Sequence, residues 1–324
     1  MITVTKLRRK PRSFHAFAGV SVSEFDHLLA QITPAYEAAF QKQRQRPDRL
    51  RQPGAGRRFA LDLPERLLMG LMYLRLYVSQ SLLAYLFDLD QSNISRELND
   101  RLLPILLEVL PVPLRDAPLR QMAEEAKKEA APSVKKPRRI NTLQELLQAY
   151  PELEEVLLDA TEQSVPQPTD KQKRKHCYSG KQQDHTIKTQ IVATRTQILH
   201  VFGGLPGSLS DQTLLRASGV MRQIPLNVRI RLDKGYEGTD TRHPDHAVEQ
   251  PVKGQRNHKV TALGRAYNYY LSTLRIYVEH HFARLQTFGI LRNVYRGKWE
   301  VHEDLFCIVS GLLNYRATGK FVLG

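Results

Sequence analysis

The chain has 324 residues, 41% of them hydrophobic, with 48 Lys and Arg against 33 acids and a formal charge of +15. That length carries one large or two ordinary domains, the apolar fraction excludes wholesale disorder, and the charge points to a polyanionic partner. Its two cysteines, Cys177 and Cys307, are far apart and lack C-x-x-C spacing, which excludes a disulfide scaffold and a zinc site and suits a reducing compartment.

No apolar run approaches the roughly 18 residues of a spanning helix, so no membrane partner is expected. The basic start, Lys6 to Lys10, is followed by no apolar segment of the signal-peptide kind. Val20 to about Gln41 reads as a helix, with Phe25, Leu28, Leu29, Ile32 and Tyr36 at helical spacing, Ser21 or Ser23 as cap, and Pro34 expected to split it. Gln41 to Arg58 is a basic loop (Arg44, Arg46, Arg49, Arg51, Arg57, Arg58) that suits phosphates as well as solvent.

Residues 63–99 give three short helices. Pro64 and Glu65 open the first, Ser79 or Ser81 starts the second, and Asp90 caps the third after the turn Asp88-Leu89-Asp90. On the third, Ile94 and Leu98 face inward while Gln91, Ser92, Asn93 and Arg96 face outward. This is a helix-turn-helix layout, and those four side chains are of the kind that reach base edges or phosphates from a major groove. A plain helical bundle with a polar surface has the same pattern. Residues 1–110 are therefore read as a helical DNA-binding domain. Residues 111–140 read as a linker, with Pro111, Pro113, Pro118, Pro132, Pro137 and the cluster Lys135-Lys136-Pro137-Arg138-Arg139.

Residues 141–324 read as an α/β domain. A short helix, Thr142 to Ala149, precedes the run Val156-Leu157-Leu158, a buried strand ending in Asp159. A basic hairpin arm, Gln163 to Lys175, leads to a strand over His185–Ala193 and another over Thr196–Gly203. Asp211 to Val220 is a helix with Asp211 in its first turn; Val228–Leu232 is a strand ending in Asp233; Ala247–Val252 is a short strand. Short apolar runs bounded by Pro and Gly favour strands over helices. A long helix spans about Thr261 to Thr287 with a stripe of Leu271, Leu274, Val278, Phe282 and Leu285, and a closing helix spans Glu300–Tyr315.

Two strands thus end in an Asp, and the long helix carries Glu279 beside its buried stripe, with Arg275 one turn earlier at ion-pair spacing. Each acid alone is an ordinary turn, cap or ion-pair residue. Together, if the strands are neighbours and the helix crosses their ends, three carboxylates repel one another unless a cation lies between them. Two Mg²⁺ ions about 3.5–4 Å apart would make them a clamp for in-line attack at a phosphodiester; carboxylate oxygens suit Mg²⁺ and Mn²⁺.

The blocks Leu158-Asp159-Ala160-Thr161-Glu162, Tyr178-Ser179-Gly180-Lys181, His185-Thr186-Ile187-Lys188-Thr189, Pro206-Gly207-Ser208 with Asp211, and Leu232-Asp233-Lys234-Gly235-Tyr236-Glu237-Gly238 follow one another. Arg275, Val278-Glu279, Phe282, Arg284, Leu285 and Leu313-Asn314-Tyr315 complete the series. In this order they resemble the DDE transposases of bacterial insertion sequences, in the Harbinger-related branch. The resemblance covers Leu158 to Tyr315 and implies a ribonuclease-H-like mixed sheet flanked by helices, holding Mg²⁺ through catalytic Asp159, Asp233 and Glu279. It implies cleavage of double-stranded DNA at terminal inverted repeats and strand transfer into a target, in the bacterial cytoplasm on the nucleoid. Because two ends are joined, a homodimer in the DNA complex is expected. Lys181, Lys188, Lys234, Arg275 and Arg284 are taken as further DNA contacts. Gln286 stands where the family often has a Lys, and Arg284 is the residue expected to cover that phosphate.

Two rival readings have distinct chemistry. His281, Arg284 and Tyr315 supply the residue types of a tyrosine recombinase, which needs no metal. Alternatively, Gln286 would mark a DNA-binding protein whose nuclease site has decayed.

Overall fold

The structure is a computed structural model describing residues 2–44, 61–115, 140, 142–254 and 259–321. The basic run from Arg46 to Arg58, the charged run Glu124–Glu129 and the cluster Lys135–Arg139 lie outside the described residues. The chain divides into two compact units: Met1–Val112 with 283–295 and 304–322, and 113–282 with 296–303.

In the first unit, the Thr3 hydroxyl accepts the Lys6 amide and opens α1 (Val4–Arg8). Pro11 sits in the first turn of α2 (Pro11–Ala18), which Gly19 closes at φ 74°; a side chain there would also meet the Phe288 ring. Ser21 and Glu24 then exchange backbone bonds as a capping box at the start of α3 (Val22–Arg44). This helix runs unbroken through Pro34. Pro34 and Ala30, whose carbonyl loses its donor, are both exposed, so solvent can satisfy what the ring removes.

Asp62 caps α4 (Leu63–Leu76) and Ser79 caps α5 (Gln80–Phe87). Asp88 turns the chain with φ 55°, the left-handed geometry that a glycine often supplies in such a turn. α6 (Gln91–Glu97) follows, begun by Asp90 in extended geometry but with no side-chain cap bond. A π-helical turn, Leu98–Leu102, leads into α7 (Leu103–Val109). Phe14, Phe25, Leu28, Ile32, Leu67, Leu71, Phe87, Ile94 and Leu98 are wholly or almost wholly buried. Beneath α6, buried Glu97 receives Arg66 at 2.7 Å, Arg101 at 2.8 Å and the Tyr36 hydroxyl at 2.9 Å. That buried charge is compensated on both oxygens, as a desolvated carboxylate requires.

The second unit begins with α8 (Leu143–Ala149) and β1 (Glu155–Ser164). α9 (Lys171–Cys177) begins within the stretch that the sequence suggested was a hairpin arm, and the two-residue β2 (Tyr178–Ser179) follows it. β3 (Asp184–Ala193), β4 (Ile198–Pro206), α10 (Asp211–Ser218), β5 (Arg229–Leu232), α11 (Thr239–Arg242) and β6 (Val248–Glu249) follow, then the long α12 (Ala262–Leu285). β3 pairs antiparallel with β1 and, on its other edge, with β2 and β4; β5 pairs parallel with β1, and β6 with β5. Three long antiparallel strands continued by two parallel ones form the ribonuclease-H-like mixed sheet that the sequence led us to expect. Val156, Leu158, Val192, Leu199, Leu215, Ile230 and Leu232 make its core.

The C-terminal helices differ from the sequence reading, which placed all of 141–324 in one domain. α13 (Gly289–Arg292) and residues 304–318 of α14 (Trp299–Thr318) belong to the first unit. Leu305, Ile308, Val309 and Leu312 are buried there, and Gly311 lies close enough to Leu110 and Val112 that a side chain would have to displace them.

Candidate active site

The two aspartates are placed by strand pairing. The parallel ladder between β1 and β5 ends at Leu158 opposite Leu232, so the next residue on each strand, Asp159 and Asp233, leaves the ladder at the same level. Asp233 follows the last residue of β5 as expected. Asp159 does not end its strand: β1 runs five residues further, paired with β3. An acid is tolerated in mid-strand because its parallel neighbour has stopped there.

Glu279 comes from α12 and lies on the same side. Arg275, one helical turn earlier, puts Nη1 2.9 Å from Asp233 Oδ1 and Nη2 3.9 Å from both Asp159 Oδ2 and Glu279 Oε1. All three acids therefore lie within the span of one guanidinium. They are unequally exposed: the side chain of Asp159 is 15% exposed, that of Glu279 61%. Burial pushes the Asp159 carboxyl up to about 6, and the charges of Asp233 and Asp211 add to this. The Ala160 amide at 2.8 Å and Arg275 oppose it. Among the described residues, no set of three or more His, Cys, Asp or Glu is drawn together closely enough to hold a metal by itself. Arg275 takes up the charge instead. The oxygen-only donor set is nevertheless the chemistry that fits a hard divalent cation.

Behind this trio lies a second charged group that the sequence reading assigned otherwise. Lys188, expected as a DNA contact, is 5% exposed. Its ammonium donates to Asp211 at 3.1 Å, to Glu162 at 3.2 Å and to the Leu209 carbonyl at 2.7 Å, which uses its three protons. Lys188 is thus an internal counter-ion and has no donor left for a phosphate. Burial raises the Glu162 carboxyl, but hydrogen bonds from Ser179 and Thr186 and the charge of Lys188 outweigh it and hold the group below the usual range. The register accounts for the pair: Glu162 and Lys188 are opposite charges on strands that pair residue for residue. Asp211 packs against Gly235, where any side chain would collide with its Oδ2.

Tyr236 is fully buried, and its hydroxyl finds no hydrogen-bond partner among the described residues. Burial, then the charges of Asp159, Asp211 and Asp233, raise it well above its ordinary value. It is core, not a stacking platform. Tyr178 remains 46% exposed, edge-on to His185. Lys181, Lys234 and Arg284 are exposed, as are Gln91, Ser92, Asn93 and Arg96 on the outer face of α6. Arg96 folds back onto the Ser92 carbonyl at 3.2 Å.

Residues 158–314 match the family of DDE superfamily endonucleases, and residues 59–107 match the helix-turn-helix of DDE superfamily endonuclease. The first match begins one residue before Asp159 and spans Asp233 and Glu279. Residues 158–314 are thus similar to the DDE superfamily endonucleases over the whole stretch that carries the acid trio. The chain is also 27% identical, over 95% of its length and 96% of the relative's, to a protein of Microchaete diplosiphon described as a probable transposase for insertion sequence element IS702. Among solved structures it is similar to a Mos1 transposase paired-end complex with left transposon end, at 13% identity over 84% of this chain and 86% of that one. A TM-score of 0.19 makes that likeness too slight to bear on the fold. No helix among the described residues is long and apolar enough to cross a membrane.

Proposed function

We propose that the protein is a transposase that cuts at the terminal inverted repeats of its own element and joins the freed ends to target DNA through Asp159, Asp233 and Glu279. The observation that carries this reading is the reach of one guanidinium to all three carboxylates. Mg²⁺, with Mn²⁺ as substitute, is the cation these oxygens would hold; it supplies Lewis acidity at the scissile phosphate. Water adds to that phosphorus as its bond to the 3′ oxygen breaks, leaving a 3′-OH. The 3′-OH then attacks a target phosphodiester and releases a target 3′-OH. One phosphodiester is exchanged for another, so no nucleotide is consumed.

The chain's own residues bind and orient. Gln91, Ser92, Asn93 and Arg96 on α6 read the ends in a major groove, with Ile94 and Leu98 anchoring the helix. Lys181, Lys234, Arg275 and Arg284 meet backbone phosphates, Arg284 taking the phosphate that a Lys in place of Gln286 would hold. Two ends held together call for two copies of the chain. The protein works where the chromosome is, on the nucleoid in the bacterial cytoplasm.

The test is incubation of the full chain with duplexes carrying the flanking repeats and Mg²⁺, mapping the cut strand. Cleavage at the repeat end that chelation abolishes and Asp233→Asn removes is the expected result. Binding of the repeats with no metal-dependent cut would overturn it in favour of the decayed DNA-binding protein.

A further inference from the structure

Arg275 holds an unusual position for a residue expected to contact DNA. Its guanidinium faces inward, one nitrogen on Asp233 and the other shared between Asp159 and Glu279. Its Nε is buried and has no hydrogen-bond partner among the described residues. An arginine bound as a permanent structural cation normally has its five donors used. Here the attachment is charge more than a completed set of hydrogen bonds: two of the three contacts are at 3.9 Å, beyond hydrogen-bond length. The side chain is also 32% exposed, so solvent lies open to it. Three carboxylates this close repel one another without a cation, and Arg275 is the cation the protein itself provides.

We propose that Arg275 is the resting counter-ion of the acid trio, and that it gives up this place when a divalent cation binds, becoming available to a DNA phosphate. This rests on the reading of Asp159, Asp233 and Glu279 as the metal-holding set. It explains how one residue serves both an acidic pocket and a polyanion: the two roles belong to different states. It also gives the site a built-in competitor. A divalent cation must displace a tethered positive charge, so free metal is held weakly. Leaving the pocket costs the guanidinium least when a phosphate is present to receive it, which couples metal uptake to bound DNA.

The test is Mn²⁺ binding by the full chain without DNA, followed by electron paramagnetic resonance, in the wild type, Arg275→Gln, Arg275→Lys and Asp233→Asn. Removing a competing charge at these distances should tighten Mn²⁺ binding by at least about ten-fold in Arg275→Gln. Arg275→Lys keeps the charge and is the milder change, but it loses the fork that spans the acids. It should bind Mn²⁺ more tightly than the wild type by a smaller factor, which keeps the question open to refutation if the Gln variant does not fold. Unchanged or weaker binding in both variants, with Asp233→Asn losing it, overturns the counter-ion role and leaves the metal site standing. No Mn²⁺ binding in the wild type or in either Arg275 variant removes the metal reading and the counter-ion role together.

Discussion

Asp159 carries opposing demands. Its carboxyl is raised to about 6 from 3.8, chiefly by burial. The folded chain therefore holds this proton more tightly than the unfolded one. The resulting stabilisation is complete below 3.8 and is lost as pH rises through 6. At pH 8 the ionised group costs roughly 3 kcal/mol, since each tenfold gain in proton affinity is worth about 1.4 kcal/mol. Asp159→Asn should abolish cleavage and, in chelator, raise stability to urea by about 1–3 kcal/mol at pH 8 with little effect at pH 4. A variant less stable at both pH values would contradict this. Lys188 presents the converse case. Replacing it with Met leaves Glu162 and Asp211 facing one another without their cation, and such a loss costs about 3–5 kcal/mol; urea unfolding should show it. At this scale the acids were legible, because a charge after an apolar run has few places to go. Lys188 was not, since nothing in a lysine's own sequence context says its ammonium is buried. Only the β1–β3 register, which sets it against Glu162, reveals that.

Among the elements, long periodic segments were readable, and short ones were readable only where a cap residue or a bounded apolar run marked them, as in α5, α6, α8 and β5. α3, α12 and α14 follow from apolar spacing, and their ends fall within a few residues of expectation. α1, α2 and α7 were passed over, the first two because a basic start was read for charge and not for its few apolar residues, Val4, Leu7 and Phe14. β1 was read as stopping at Asp159 because a charge usually ends an apolar strand. The partner that carries it on to Ser164, β3, is remote in sequence. In the helix-turn-helix, the missing glycine is answered by Asp88 at φ 55°. Asp88→Gly should therefore stabilise the chain by a few tenths to about 1 kcal/mol, and Asp88→Val should destabilise it by about 1–2 kcal/mol, in thermal unfolding. Equal effects would mean the turn relaxes. On α6, Arg96→Ala should weaken binding to the element's own ends more than to random duplex in a gel-shift titration. Equal weakening would make Arg96 a phosphate contact only.

Across the whole molecule, the formal charge of +15 makes DNA affinity fall steeply with salt, whatever the sequence bound. The division into units is what the sequence hid most completely. Proline density marks the boundary near Val112, but no local signal says that 304–318 return to the N-terminal helices. There, Tyr315 meets His27 at 3.2 Å, Arg316 meets Glu24 at 3.1 Å and Asn314 donates to the Pro111 carbonyl at 3.0 Å. Removing residues 304–324 strips Leu305, Ile308, Val309 and Leu312 from that core, at roughly 1.5–3 kcal/mol each. That sum matches the whole stability of an ordinary domain. The truncated chain should lose the cooperative unfolding of its N-terminal helices by circular dichroism; retained cooperativity would contradict the packing. The same arrangement bears on how the polypeptide is born. The ribosome delivers the N-terminal helices first, yet they stay unfinished until residues 304–318 emerge, so a nascent chain that has not reached that helix does not yet hold its DNA-binding helices in place.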